Sequence, residues 1–109
     1  MNPGPLISSA GSLAGHFFDG PFPDFQNMPP GPGVYLVTHG VMGDAHLVAV
    51  GEAEDVPRAL DRHPQAPCWL EAASMGKLYA YVHRARLAAA QRRRIVGEIQ
   101  RQYPGLPCG

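Results

Sequence analysis

The side chains of this chain best suited to chemistry are basic, and they crowd into its last third. Residues 76–109 hold Lys77, Arg84, Arg86, Arg92, Arg93, Arg94 and Arg101 against a single acid, Glu98. Residues 1–75 hold Asp19, Asp24, Asp44, Glu52, Glu54, Asp55, Asp61 and Glu71 against Arg58 and Arg62. The formal net charge is zero, so the whole-molecule field selects no partner. A one-sided distribution of this kind can nevertheless build an anion-binding face. Arg84, Arg86, Arg92, Arg93, Arg94 and Arg101 are therefore the candidates for contact with nucleic acid. The alternative is that the two halves neutralise each other across the fold. Arg94, Glu98 and Arg101 stand four and three residues apart, so Glu98 also reads as a helical ion-pair partner. His63 titrates near neutrality, which suits a proton carrier. It reads equally as a residue at a helix C-terminus, where the dipole favours a cation.

Cys68 and Cys108 each follow a proline and lack the close spacing of a zinc site. They are expected as free thiols in a reducing cytoplasm, the alternative being a disulfide that pins the C-terminus. No run approaches the roughly 20 apolar residues that span a bilayer, so no membrane partner is expected. No Lys or Arg precedes Arg58, so no secretory signal is expected either.

The elements that would position these residues follow from punctuation and period. The length of 109 residues suits one domain. Val34 to Thr38 is β-branched and aromatic and follows a Pro-Gly lead-in, so it reads as a strand. Residues 39–44 carry two glycines and an Asp, a loop between antiparallel neighbours. Residues 46–50 form the second strand. Asp55 can cap a helix, Pro57 suits its first turn and Pro64 stops it, giving a helix near 55–63. A second helix is expected near 68–75, with Trp69 as a packing residue. Residues 77–84 alternate, with Leu78, Ala80 and Val82 on one face and Tyr79, Tyr81 and His83 on the other, so they form the third strand. The longest helix runs 87–103, with Ile95 and Ile99 on one face and Arg92 near them.

Before this unit the chain is rich in Gly, Pro and Phe. Residues 1–15 show no sustained period and read as poorly ordered. Phe17, Phe18, Phe22 and Phe25 are split by prolines, which excludes a helix or a central strand. An extended arm over residues 1–27 is expected, its rings filling surface pockets of a single domain at 28–109. Its functional alternative is a stretch that binds protein or stacks on bases.

Gly33-Val34-Tyr35, then Ala49-Val50-Gly51, then Asp55, Leu60 and His63, resembles the front half of a GIY-YIG nuclease domain. Glu98, Tyr103, Pro104 and Pro107 look similar to the family's ending, so the resemblance covers roughly residues 28–109. It implies an α+β fold, a small three-stranded antiparallel sheet flanked by helices. It also implies metal-assisted cleavage of DNA. Tyr35 and His63 would then handle protons, and Glu98 would hold the metal, Mg or Mn. Two positions depart from the family pattern. Alanine stands at 49 where the second tyrosine is expected, and Ala59 stands where an arginine would meet the phosphate. Arg62, three residues on, is a conceivable substitute for that arginine, and Tyr79 or Tyr81 for the tyrosine. Removing one preorganised charge contact typically costs about 10²–10³ in rate. The expected function is therefore a catalytically degenerate GIY-YIG-like domain, retained for binding nucleic acid or, through the phenylalanine arm, a protein partner. The alternative is an active metal-dependent DNA endonuclease with a rearranged site.

Overall fold

A computed structural model describes residues 6–7, 12–40, 45–74, 76–84 and 87–108. In chain order the elements are β1 (Leu6–Ile7), β2 (Ser12–Leu13), β3 (His16–Phe17), β4 (Asp19–Pro23), β5 (Gly33–His39), β6 (Ala45–Ala53), α1 (Val56–Leu60), α2 (Ala66–Ala72), β7 (Leu78–Arg84) and α3 (Ala89–Gln102). The architecture is α+β. One antiparallel sheet carries the order β1-β6-β5-β7-β4, and β2 and β3 form a separate small hairpin.

β5 is central because both of its faces are apolar. Residues 33–38 are buried without interruption, as expected of a strand covered on two sides. Tyr35 and Val37 face a core shared with Val56, Leu60 and Trp69 of α1 and α2. Val34 and Leu36 face a second core with Ile95 and Ile99 of α3. The helices thus sandwich the sheet, α1 and α2 on one side and α3 on the other. α3 buries Arg92, Ile95 and Ile99, a stripe at helical spacing. Gln91 accepts the Ala88 N–H at 3.1 Å at the start of this helix, and Pro104 follows its end.

Four strands of five residues or more make the sheet, where three were expected, and the two-residue β1 adds to its edge. The extra strand is the phenylalanine arm. β4 pairs with β7, with Phe22 opposite Ala80 and Pro23 opposite Tyr79. Prolines 21 and 23 do not prevent this, because β4 is an edge and its outer side has no ladder to complete. The stretch read as poorly ordered is also used, with Leu6 opposite His46 and Leu13 opposite His16. Phe18 is buried, Phe22 and Phe25 pack against the α1–α2 core, and Phe17 alone of the four stays 80% exposed.

β6 contains a bulge. Thr38 faces Leu47 and Val37 faces Ala49, so Val48 is an extra residue without a partner on β5. Val48 and Ala49 consequently belong to the same core, which simple alternation forbids.

The expected free thiols are instead joined. Cys68 of α2 is bonded to Cys108, with Cα atoms 5.9 Å apart. Sequence spacing hid this, because the two cysteines meet only when the chain after α3 returns to α2.

Candidate functional site

The hairpin β5–β6 sets Tyr35 opposite Gly51, two positions from Ala49. A Cβ at Gly51 would collide with the Tyr35 ring, so only glycine leaves the ring its place. Gly33 likewise admits the close approach of β7, since a Cβ there would lie 2.8 Å from the His83 carbonyl oxygen.

Tyr35 Oη lies 3.3 Å from His63 Nε2. His63 is held from its other side as well, because the Gln65 backbone N–H donates to Nδ1 at 3.0 Å. A nitrogen that accepts carries no proton, so the neutral ring bears its hydrogen on Nε2 and donates it to the Tyr35 oxygen. The His63 ring stacks on Trp69, centroids 4.6 Å apart, and Phe25 meets Trp69 edge-on at 5.8 Å. Burial lowers the His63 pKa. Burial raises that of Tyr35, helped by the charge of Glu52, so Tyr35 remains a neutral phenol at pH 7.

This pair makes a prediction about pH. A depressed histidine pKa means that the unfolded chain binds the proton more tightly than the folded one. The contribution of His63 to stability is then complete above about pH 6.5, the unfolded value. It is lost as the pH falls from there through the folded value. Thermal melts between pH 7.5 and 5 should show a smaller acid-side decline for His63→Gln than for the parent protein. Equal declines would mean that the pair does not couple folding to protonation.

The other expected site residues do not gather here. α1 ends at Leu60, Asp61 caps it, and Arg62 follows with φ +58°. Arg62 therefore does not share a helical face with Ala59, and its side chain is exposed. His63 lies past the helix, not in its last turn, so the dipole reading lapses. Asp55 stands at the N-cap but directs its carboxylate to the Gly31 N–H at 3.4 Å and makes no cap bond. Tyr81 packs with the α3 core, so the neighbouring strand offers Tyr35 no substitute tyrosine from that position. Tyr79 shares the Tyr81 face of β7 by alternation.

Glu98 is on α3, across the sheet from Tyr35 and His63. Its oxygen approaches His16 Nε2 at 3.7 Å, not Arg94 or Arg101. Among the described residues no group of three or more His, Cys, Asp or Glu is arranged to hold a metal. The donor set around Glu98 does not fit a magnesium or manganese centre, which takes several oxygen ligands.

The basic residues divide. Arg92 is 2% exposed and leaves the expected binding set. Its Nε meets Glu52 at 2.9 Å, Nη2 meets Glu54 at 2.7 Å, and Nη1 donates to the Leu87 carbonyl at 2.6 Å. Hydrogen bonds to Glu54 and Glu52 raise its pKa further, against desolvation. Arg84 reaches Asp19 at 3.3 Å in the open. Arg86 lies outside the described residues. Arg93, Arg94 and Arg101 are exposed. At 100° per residue they fall within an arc of about 100° on α3, opposite the stripe of Arg92, Ile95 and Ile99.

The sequence signal for the buried Arg92 was its spacing three and seven residues before Ile95 and Ile99. No signal pointed to the stacking of His63 on Trp69. No helix among the described residues is long and apolar enough to cross a membrane. Searches of protein families, of curated proteins and of solved structures give no match to this chain.

Proposed function

We propose that this is a catalytically degenerate GIY-YIG-like domain that binds nucleic acid through the outer face of α3. The observation that carries the reading is the split of the would-be site. Tyr35 and His63 touch, but Glu98 lies on the other side of the sheet. Ala49 and Ala59 supply neither a proton nor a cation. What remains is a neutral tyrosine–histidine pair packed on Trp69. Such a pair can hold β5 to the turn after α1, but it has no charge to set against a pentavalent phosphate. The binding half of the proposal rests on Arg93, Arg94 and Arg101, which share a solvent-facing stripe and have no ion-pair partner among the described residues.

The expected behaviour is weak, sequence-tolerant binding with a steep dependence on salt, because each neutralised phosphate releases counterions. Replacing Arg93, Arg94 and Arg101 with glutamine should reduce the slope of log K against log salt by roughly one per lost contact. An unchanged slope, or no binding at low salt, would remove nucleic acid as the ligand. Incubation of plasmid, branched and single-stranded DNA with magnesium or manganese should leave the DNA intact. Cutting that disappears in Glu98→Ala would overturn the degenerate reading and restore the endonuclease.

A further inference from the structure

The chain after α3 passes from one face of the sheet to the other and is fastened where it arrives. Tyr103 and Leu106 pack against the α3-side core, with Val34, Leu36 and Ile99. Cys108 packs against the opposite core, with Val48 and Trp69, and is bonded to Cys68. To connect the two, residues 104–108 round the outer edge of β6. There the Cys108 N–H donates to the Val48 carbonyl at 3.2 Å. Val48 is the bulge residue, displaced from the β5 ladder, so its carbonyl needs an acceptor role elsewhere. Among the described residues β1 covers only Ala45 and His46 of this edge. The segment is therefore a strap over an otherwise open strand, and the disulfide is its buckle.

Two features make the buckle releasable without loss of the fold. Both cysteines are half-buried, so neither is sealed inside the core. The strap carries Pro104, Gly105 and Pro107 and has no helix or strand of its own to lose. The buckle also sits beside the tyrosine–histidine pair. Cys68 precedes Trp69 in α2, and Trp69 carries the His63 ring.

We propose that Cys68–Cys108 is a redox-sensitive clasp whose reduction frees residues 104–108, uncovers the β6 edge at Val48 and loosens the packing of Trp69 on His63. The reductant is a dithiol. Its thiolate attacks one sulfur to give a mixed disulfide and releases the other cysteine as a thiolate, which takes up a proton. Its second thiol then displaces the remaining cysteine. Two thiols form in the protein, and the reductant leaves as its own disulfide.

Hydrogen exchange on the full chain tests this with three samples: oxidised protein, protein reduced with dithiothreitol, and the Cys108→Ser variant. Reduction should speed exchange at residues 103–108 roughly tenfold or more, while residues 33–39 stay protected. Trp69 emission should move to longer wavelength at the same time. Cys108→Ser should match the reduced protein and ignore dithiothreitol, and Cys68→Ser should behave alike if the first variant folds poorly. Unchanged exchange at 103–108 would overturn the clasp. So would two free thiols titrated in the protein before reduction. Loss of protection in β5 together with the strap would also overturn it, because the bond would then be a staple of the whole fold.

Discussion

A Glu52→Ala, Glu54→Ala double variant is expected to be the most damaging change to a charged site in this domain. It leaves the Arg92 guanidinium buried with no anion, and breaking a buried pair in this way costs about 3–5 kcal/mol. The lower end applies. The side chain of Arg92 is 3% exposed, but those of Glu52 and Glu54 are 22% and 82% exposed, so water already screens the second contact. Arg92→Met should cost distinctly less. Methionine fills similar volume and takes the buried charge away, leaving two carboxylates that can reach solvent. Urea unfolding of both variants gives the comparison. Arg92→Met as the worse of the two would mean that the bond to Leu87 and the packing of the arginine stem outweigh charge burial.

Trp69→Ala is expected to cost about 3–5 kcal/mol, the range for truncating a buried aromatic. The ring is 1% exposed and joins α2 to His63 and Phe25, so no neighbour can close the gap cheaply. Trp69→Phe should be far milder, and the reason is specific. The Trp69 indole N–H is buried with no partner among the described residues. An unsatisfied buried donor costs about 1–3 kcal/mol, and phenylalanine removes it. The lost area and the removed donor therefore oppose each other, and denaturation midpoints of the two variants measure the balance. A large loss in Trp69→Phe would mean that the lost packing area outweighs the relief of the unsatisfied donor.

β5, β6, β7 and α3 were legible in the sequence because their apolar period and their Gly and Pro boundaries agree. β4 was not, for a physical reason. Its prolines carry no β signal, and its partner β7 is remote in sequence, so only the assembled edge makes the strand favourable. Reading the phenylalanines as pocket fillers was sound for Phe18, Phe22 and Phe25, yet it missed that the backbone between them completes a ladder. α1 was read too long because Asp55 and Pro64 look like its limits, whereas the chain leaves the helix at Asp61 and turns left-handed at Arg62. The tyrosine–histidine contact was not foreseen, because the family resemblance singles out both residues without placing them together. Nothing in the spacing of Tyr35 and His63 says that they touch. Arg92 shows that a 3.6 period outranks charge. Its place in the stripe of Ile95 and Ile99 put it inside, and two glutamates on and just after β6 made that tolerable.

The strand order also bears on how the domain assembles in time. β5 and β6 are joined by residues 40–44, whereas β4 and β7 are separated by residues 24–77. Each doubling of a closed loop costs about 0.6 kcal/mol, so joining β4 to β7 from an open chain is dearer than closing the hairpin by about 2 kcal/mol. The hairpin that carries Tyr35 and Gly51 is thus the natural nucleus. The phenylalanine strand becomes favourable only after β7 has docked on β5 and brought its partner residues near. The element that was hardest to read from local pattern is the one that can form only late, since both properties follow from its dependence on distant residues.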